Sequence, residues 1–412
     1  MKSNDGGYRA ACKTCVCGAV GDWKPPVPPP PPPPPPPAPP PLPKPVEPAP
    51  KKWDGKPVQV YILMGQSNCV GMGAVLGAPN NTLESAVFKQ DKFPWLKNGD
   101  TWSIDGDTRN VFIMANGNST FAESKLNHNE WMTPDYGDKS NSEARMQGSR
   151  GPGGTIGPEF GIAHFGGSLK QGNTMILKSC IGNRALGWDL LPAGTPRANY
   201  TDKSGTEWTY AGYGDSTQKW LKNESAPEPP FGGWYAGKQW DGDTGNAKYI
   251  INNITKDPAN PFFPRLGGSA TKYEVAGFFW WQGDRDSRDA GLSALYETHL
   301  VSLIKTLRKT FDAPNAPFVT ASLGQSAIGS TSGDGEILTA NLNVGCNGQT
   351  NGAVTKCKYP EFKGNVAAVY THPLENTPGS SGGHYGHDAI TYMNVGVAMG
   401  EEMAKMKAAQ SA

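Results

Sequence analysis

Residues 60–69 read VYILMGQSNC, an apolar run that stops at the small-residue turn Gly65-Gln66-Ser67-Asn68. A short continuous apolar run of this kind is typical of a strand that is covered on both faces, as in a parallel sheet. A turn at the carboxyl end of such a strand lifts the Ser67 hydroxyl out of the sheet, at the edge where open α/β sheets bind their ligands. Ser67 is therefore a candidate nucleophile, and the backbone N–H groups that follow it can bind an oxyanion.

Similar apolar runs recur along the chain and alternate with helical patterns. Helices are predicted at residues 290–311 and 389–407, where apolar residues recur at helical spacing. Strands that alternate with helices predict one α/β domain of three layers, α/β/α, with a mainly parallel, five-stranded sheet. Polar segments at roughly 78–155 and 192–262 are predicted to be long loop insertions that shape a binding site. The predicted strands are residues 58–64, 174–180, 275–281, 318–323 and 367–371.

The amino-terminal part of the chain differs in composition from the rest. Residues 25–52 are dominated by proline and are predicted to form a polyproline II linker, either a plain spacer or a ligand for proline-recognising domains. Residues 1–24 contain three clustered cysteines, which could bind zinc only with a fourth ligand, and are predicted to be a disordered remnant of a longer region. The folded domain is accordingly placed at residues 53–412.

Charge and hydropathy exclude some classes of partner. The net charge of +1 gives no electrostatic reason to expect nucleic acid. No apolar stretch reaches the length needed to span a membrane. Cys346 and Cys357 bracket a ten-residue polar loop that one disulfide can close. With the sequons below, this predicts a secreted or surface-displayed protein whose targeting signal is not in this chain. The N-x-[ST] sequons begin at Asn80, Asn118, Asn199, Asn223 and Asn253.

Two further patches offer candidate oxyanion donors. Residues 156–160 read IGPEF and place the Gly157 amide just before a predicted helix start. Residues 178–184 read KSCIGNR and place Asn183 just after a predicted strand. Each patch also has a purely structural interpretation. The first could be a simple helix start, and the second could be a turn in which the asparagine side chain hydrogen-bonds only to its own backbone.

Two more patches offer an acid and a base. Residues 278–286 read FFWWQGDRD, a predicted strand that ends in an amide, a glycine and Asp284. Residues 383–388 read GHYGHD and place His384 and His387 before the closing helix. Serine, carboxylate and histidine in this chain order form a set of nucleophile, orienting group and general base.

Taken together, these motifs resemble the sialate O-acetylesterase and acetylxylan esterase branch of the SGNH hydrolases. The resemblance spans roughly residues 58–406 and implies a three-layer fold, no cofactor, and removal of acetyl groups from sugar hydroxyls through an acetyl-serine intermediate. By position in the motifs, it implies Ser67 as nucleophile and His384 as base. It places the oxyanion donors at the amides of Ser67 and Gly157 and at Asn183.

One departure from the family pattern concerns the carboxylate that orients the histidine. Many members carry an Asp three residues before the catalytic histidine, whereas this chain has Ser381 there. The resemblance therefore implies Asp284 as the orienting carboxylate. Asp286, Glu375 or a contact mediated by water remain alternatives.

The expected substrate is an acetylated polysaccharide or a sialic-acid-type sugar. Gln66 and Gln282 are candidate binding residues, and Trp188, Trp280 and Trp281 are candidate stacking platforms, with at least one tryptophan expected in the core. A non-catalytic carbohydrate-binding or adhesion protein on the same fold is one alternative function. A lipase-like SGNH hydrolase is another, although it should carry apolar lid segments, whereas the insertions here are polar.

Overall fold

The computed structural model describes residues 56–77, 80–113, 126–135, 154–165, 174–229, 233–254, 273–377 and 384–411. The chain divides into two units, Met1–Pro41 and Leu42–Ala412, and every described residue lies in the second. The predicted amino-terminal segment and polyproline linker lie outside the described residues. The same holds for Cys12, Cys15, Cys17, Asn118 and Ser381.

A seven-stranded sheet forms the centre of the described domain. Its strands are β1 Val58–Gly65, β2 Asp105–Ile113, β3 Leu126–Met132, β4 Thr174–Cys180, β5 Tyr273–Trp281, β6 Phe318–Ala321 and β7 Val366–Val369. Their order across the sheet is β7-β6-β5-β1-β4-β2-β3, and every neighbouring pair is parallel except β2 and β3. The predicted fold class is confirmed, whereas the predicted count of five strands is wrong.

The two additional strands, β2 and β3, come from the polar segment that was predicted to be a loop insertion. β2 reads DGDTRNVFI and β3 reads LNHNEWM, so neither contains a long apolar run. Polar residues are accommodated here because they pair across the two strands: the Arg109 guanidinium donates to the side chain of Asn129, with a distance of 3.2 Å from Nε to Oδ1. An antiparallel pair at the edge of a sheet does not need the continuous apolar sequence of a central parallel strand.

Helices cover both faces of the sheet and complete the three layers. Alternate residues of β1 point to opposite faces, so that Tyr61 and Leu63 belong to one buried cluster and Val60 and Ile62 to the other. The first cluster includes residues of the helices Glu159–His164 and Ala389–Ser411, and the second includes residues of Lys238–Ile254, Ala290–Thr310 and Gly333–Val344. The helices are α1 Ser67–Val70, α2 Glu159–His164, α3 Lys238–Ile254, α4 Ala290–Thr310, α5 Gly333–Val344 and α6 Ala389–Ser411.

The two helices predicted from apolar spacing, α4 and α6, are confirmed. Helix α4 begins at the N-cap Asp289, whose carboxylate accepts the N–H groups of Gly291 and Leu292 at 3.0 and 3.1 Å. Helix α3 was not predicted and lies inside the second polar segment. Its sequence KQWDGDTGNAKYIINNI contains two glycines, which lower helix propensity, and packing of its buried face overrides that cost.

Short strands and single-turn helices lie outside the central sheet and the main helices. A three-stranded antiparallel sheet, Ala198–Thr201, Glu207–Tyr210 and Lys219–Leu221, lies in the second polar segment. It is fastened to the start of α4, because the Tyr210 hydroxyl donates to Asp289 at 2.5 Å and the Lys219 ammonium pairs with the same carboxylate at 2.8 Å. The remaining strand pairs are Gly73–Ala74 with Thr155–Ile156, Lys97–Asn98 with Thr101–Trp102, and Gln349–Thr350 with Ala353–Val354. Single-turn helices are Ser85–Lys89, Pro94–Leu96, Asp286–Arg288, Pro360–Phe362, His372–Leu374 and His384–His387.

Two disulfides cross-link the described residues. The Cys346–Cys357 bond closes the polar loop as the spacing predicts. The Cys69–Cys180 bond was not predicted and joins the turn that follows Ser67 to the end of β4. Both Cys69 and Cys180 are fully buried. In the described part of the chain, no helix is long and apolar enough to cross a membrane.

Candidate active site

Ser67 lies directly after the central strand of the sheet. Gly65, the last residue of β1, is level with Cys180 of β4 on one side and Trp281 of β5 on the other. The chain builds β2 to β4 on one side of β1 and β5 to β7 on the other, so the strand order reverses beside Ser67. Open α/β sheets bind ligands at such a switch point, outside the carboxyl ends of the strands.

A glycine at position 65 is required by close packing between β1 and β5. Its φ is +153°, and a Cβ atom there would lie 2.2 Å from the carbonyl oxygen of Trp281. Ser67 then starts the single turn α1, which is closed by bonds from the Val70 N–H to the Gln66 carbonyl and from the Gly71 N–H to the Ser67 carbonyl. The first amides of such a turn have no acceptor within it, so they are candidate donors to a ligand at this edge of the sheet.

A cavity of about 280 Å³ adjoins Ser67. The predicted nucleophile, base and orienting carboxylate all line it, although they come from positions 67, 384 and 284 of the sequence. The volume is near the lower end of the range for small-molecule sites, about 300 Å³, which suits a ligand the size of one sugar ring. Its lining residues are Gln66, Ser67, Asn68, Asp284, Arg288, Gln325, Asp334, His384 and Tyr385.

A larger cavity, about 440 Å³, lies among the described residues at the amino end of β5. It is formed by residues 273–276, 311–317, 407 and 410, and none of these is a serine, cysteine or histidine. We place the chemistry in the smaller cavity because that one combines a nucleophile with a base and lies at the carboxyl edge of the sheet.

His384 is presented by an unusual stretch of backbone. His384, Tyr385, Gly386 and His387 all have positive φ, at 56°, 53°, 60° and 63°. Residues other than glycine rarely adopt this left-handed conformation, and strain of this kind concentrates at functional sites. The two imidazole rings lie 6.2 Å apart, between centroids. The His387 Nδ1 contacts the Met72 carbonyl at 3.1 Å, whereas His384 lines the cavity.

The three candidate carboxylates differ in their surroundings. Asp284 lines the cavity and pairs with Arg288 at 2.5 Å. Asp286 is fully buried and accepts the N–H groups of Leu186 and Gly187 at 2.8 and 2.9 Å, and burial raises its pKa to about 7. Asp286 therefore holds the loop after β4 and does not line the cavity.

The third carboxylate, Glu375, lies behind the cavity. Glu375 is buried, and a Cβ atom added to Gly324 would lie 2.7 Å from its Oε1 and 2.8 Å from the ring of Tyr385. Tyr385 lines the cavity and Glu375 does not. Among the three, only Asp284 shares the cavity with His384.

The two glutamines form one buried network. The Gln282 side-chain amide donates to the Gln66 Oε1 at 3.2 Å and to the Arg184 carbonyl at 2.9 Å. The Gln66 Oε1 also accepts the Arg285 N–H at 3.2 Å. Gln66 lines the cavity, but Gln282 is fully buried and does not. Gln282 therefore does not reach the cavity, and its contact with the Gln66 Oε1 helps to fix the orientation of Gln66.

Two of the three candidate stacking tryptophans belong to the core. Trp280 and Trp281 are both fully buried. The Trp281 indole donates to the Ser322 carbonyl at 3.0 Å and stacks on the Tyr385 ring, with 5.8 Å between centroids. Both therefore lie in the core, where at least one of the three tryptophans was expected, and neither lines the cavity. Trp188 is half-buried, and the Arg285 guanidinium lies 5.2 Å from its ring centroid.

Two of the predicted oxyanion donors do not reach the cavity. The Gly157 N–H donates to the Glu159 carboxylate at 3.0 Å, and the same carboxylate forms a buried ion pair with Lys178, also at 3.0 Å. Asn183 is exposed, in a left-handed turn with φ of 57°. Neither Gly157 nor Asn183 lines the cavity. The acceptor Glu159 lies only two residues after Gly157, whereas its pairing with Lys178 depends on the fold and could not be predicted from local sequence.

Asn68 is a polar cavity residue that was not singled out from the sequence. Its Oδ1 accepts the Tyr392 hydroxyl at 3.3 Å, and its Nδ2 donates to the Tyr385 hydroxyl at 3.4 Å. These contacts orient the amide nitrogen toward Tyr385, which also lines the cavity. Its position directly after Ser67 is the feature of the sequence that could have indicated a role at the site. The other cavity residues without a predicted role are Arg288, Gln325, Asp334 and Tyr385.

Residues 260–405 match the family model of carbohydrate esterases described as sialic acid-specific acetylesterases. The predicted resemblance is confirmed over this region. The region contains Asp284, Asp334 and His384, whereas Ser67 lies outside it. Comparison with the curated proteins finds no match to this chain.

Three solved structures are among those similar to this chain. A protein from Arabidopsis thaliana is 12% identical with a TM-score of 0.42, and the similarity covers 84% of this chain and 98% of that one. A carbohydrate acetylesterase from Xanthomonas citri is 11% identical with a TM-score of 0.40, covering 84% of this chain and 55% of that one. NanS is 13% identical with a TM-score of 0.31, covering 65% of this chain and 68% of that one.

Proposed function

We propose that this protein is a serine esterase that removes O-acetyl groups from carbohydrates through an acetyl-serine intermediate. The observation that carries the proposal is the single cavity that Ser67, His384 and Asp284 line together at the switch point of the sheet. The match of residues 260–405 to carbohydrate esterases supports the same chemistry. Acetylated polysaccharides and acetylated sialic-acid-type sugars are the proposed substrate classes.

In the proposed mechanism, His384 takes the proton of the Ser67 hydroxyl as the serine oxygen attacks the acetyl carbonyl. The carbonyl oxygen becomes an oxyanion, and the His384 proton passes to the departing sugar oxygen. Water, deprotonated by the same histidine, then attacks the acetyl-serine and releases acetate. The buried position of Ser67, whose residue is 6% exposed, limits competing solvent around the reacting atoms.

We propose that the oxyanion donors are the Ser67 backbone N–H and the Asn68 side-chain amide. The Ser67 amide is one of the first in α1, and the Asn68 nitrogen is held at the cavity by the contacts with Tyr385 and Tyr392. Preorganised donors aimed at a developing negative charge supply a large part of the rate in acyl transfer.

Asn68→Ala is expected to lower kcat by about 100-fold or more, because removal of one oxyanion donor typically costs between about 100- and 1,000-fold. Hydrolysis of an aryl acetate measures the effect. Tyr392→Phe is the matched control, since it removes the hydroxyl that holds Asn68 but keeps the donor. An Asn68→Ala variant with nearly normal kcat would contradict the assignment.

Asp284 is proposed to orient His384. Asp284→Asn is then expected to lower kcat by about 10⁴-fold, as in serine proteases in which the orienting Asp becomes Asn. Both kcat and a melting curve are measured for this variant and for Arg288→Gln, which removes the ion-pair partner but keeps the carboxylate. If Asp284 only forms the ion pair at 2.5 Å with Arg288, the two variants should show equally small losses, under tenfold. A dyad of Ser67 and His384 would then be the better mechanism.

Acetate release by the purified protein tests the function as a whole. The substrates are an aryl acetate and a panel of acetylated glycans, with Ser67→Ala as the blank. Release from at least one glycan supports the proposal. Binding of glycans without release of acetate from any substrate would favour a non-catalytic carbohydrate-binding protein.

We also propose that the protein is secreted or displayed at the cell surface. The two disulfides and the exposed side chains of Asn80, Asn199 and Asn223, each the first residue of a sequon, support this location. The intact mass of the protein, before and after removal of N-glycans and after thiol labelling, tests it. Unmodified asparagines together with free Cys69 and Cys180 thiols would count against export.

A further inference from the structure

Three half-buried aromatic side chains, those of Trp188, Tyr200 and Trp208, pack against one small buried cluster that contains Tyr210. Tyr200 and Trp208 belong to the three-stranded sheet of the second polar segment, and Trp188 lies in the loop after β4. The mechanism gives none of the three a role. We call these three residues the aromatic patch.

The sheet register brings two members of the patch together on one face. Trp208 lies directly opposite Tyr200 on one neighbouring strand and opposite Leu221, which is 38% exposed, on the other. Tyr210 is two residues further along and points to the same face. It packs on the first turn of α4, where a Cβ atom on Gly291 would lie 2.2 Å from the tyrosine ring. The face is therefore closed at Tyr210 and partly open at Trp208.

The Trp208 ring is held in place by polar neighbours. Its Nε1 donates to the Asp202 carboxylate at 2.9 Å, and the Lys219 Nζ lies 5.0 Å from its ring centroid. Lys219 is itself fixed by its ion pair with Asp289 at 2.8 Å. A ring that is already fixed loses little conformational freedom when a ligand stacks on it. An aromatic surface with a polar edge suits a sugar, which has apolar C–H groups on its faces and hydroxyls around its rim.

The aromatic patch adjoins the wall of the candidate active site. The Arg285 N–H donates to the Oε1 of Gln66, which lines the cavity, at 3.2 Å. The guanidinium of the same arginine lies 5.2 Å from the ring centroid of Trp188. The three-stranded sheet is fastened to Asp289, the residue that follows Arg288 of the cavity lining. Both parts of the patch are therefore attached to the segment that forms one wall of the cavity.

We propose that the aromatic patch binds sugar units next to the acetylated one, so that the preferred substrate is a glycan chain and not a single sugar. The cavity of about 280 Å³ has room for one sugar ring, so the other units of a chain must lie outside it. The patch offers them stacking surfaces beside the cavity. The inference rests on the proposed function, because it names the substrate class of that same site.

The test uses two pairs of substrates that differ in length and carry the acetyl group at the same position. One pair is O-acetylated xylose and xylohexaose, and the other is O-acetylated N-acetylneuraminic acid and sialyllactose. Acetate release gives kcat/KM for each. In at least one pair, wild-type protein is expected to favour the longer substrate by about tenfold, mainly through a lower KM.

Trp208→Ala should reduce this ratio of long to short substrate to about twofold, because it removes a stacking surface. Trp208→Phe should keep most of the wild-type ratio, since it retains an aromatic ring. General damage to the protein lowers kcat/KM for both members of a pair alike, so it does not change the ratio.

Tyr273→Ala is the matched control variant. It removes an aromatic side chain that is 38% exposed, but Tyr273 lies at the amino end of β5, away from the cavity. Tyr273→Ala should keep the wild-type ratio. The inference is overturned if wild-type protein favours the longer substrate in neither pair, or if Trp208→Ala and Tyr273→Ala change the ratio equally.

Light scattering tests whether a second copy of the chain covers the patch instead. A wild-type dimer that Trp208→Ala converts to a monomer, with an unchanged ratio, would overturn the inference in favour of a contact between copies. Equal turnover of long and short substrates overturns the role of the patch and leaves the esterase standing. The absence of acetate release from all four substrates and from an aryl acetate overturns the esterase, and the inference with it. The wild-type ratio needs no variant, so poor folding of Trp208→Ala does not remove the test.

Discussion

Ser67→Ala is expected to lower kcat for acetyl-ester hydrolysis by about 10⁶-fold, because loss of the nucleophile in a serine hydrolase leaves only the contribution of binding and the oxyanion hole. The fold should persist, since alanine keeps the Cβ atom and the turn α1 is closed by backbone bonds. Acetate release is measured alongside a melting curve for the purified variant. Retained hydrolysis of a small acetyl ester would rule out Ser67 as nucleophile.

Ser326→Ala provides the control for that experiment. Ser326 is buried near the cavity residue Gln325, and its hydroxyl has no hydrogen-bond partner among the described residues. Removal of this hydroxyl should leave both kcat and the melting temperature close to those of the wild type. A loss comparable with that of Ser67→Ala would show that the assay reports general damage to this edge of the sheet.

His384→Ala is expected to lower kcat by about 10⁶-fold as well, because the nucleophile and its base act as one unit. For the same reason, the double variant of Ser67 and His384 should be no slower than either single variant. The measurement is kcat for an aryl acetate with all three proteins, at the same enzyme concentration. Multiplying losses in the double variant would show that the two residues act independently.

His387→Ala is the matched control, because it removes the second histidine of the same left-handed turn. The His387 Nδ1 contacts the Met72 carbonyl and the residue does not line the cavity, so the loss in kcat should be under tenfold. A lower melting temperature is the expected effect of removing this contact. The reverse order of activities would move the base to His387.

The sequence predicted the parts of the fold that carry a strong apolar pattern. All five predicted strands appear in the sheet, and both predicted helices begin at the expected residues. Strands β2 and β3 were not predicted, because they contain many polar residues. Some of these side chains hydrogen-bond to one another across the two strands, as Arg109 and Asn129 do. Pairing of this kind depends on which strands become neighbours, and composition of a single segment does not reveal it.

The part of the candidate site that could be predicted from the sequence is the part that follows the carboxyl ends of parallel strands, because these ends meet at one edge of the sheet. Ser67, Asp284 and His384 were chosen on that ground, and all three line one cavity. Burial was not predictable from local sequence: Trp281 and Gln282 follow one another at a strand end, yet both are enclosed by the helices and loops packed over them. Asp334 carried no local motif, and only the packing of α5 beside the cavity reveals it.

The Cys69–Cys180 disulfide has a consequence for how this protein can vary. The bond encloses 110 intervening residues in a covalent ring, and both ends of the ring lie beside the nucleophile turn. Because the ends are fixed to each other, insertions or deletions inside the ring need not pull on Ser67. Lengthening a flexible loop is inexpensive in any case, at about 0.6 kcal/mol for each doubling. The disulfide therefore separates the position of the Ser67 turn from the length of the loops that connect β1 to β4.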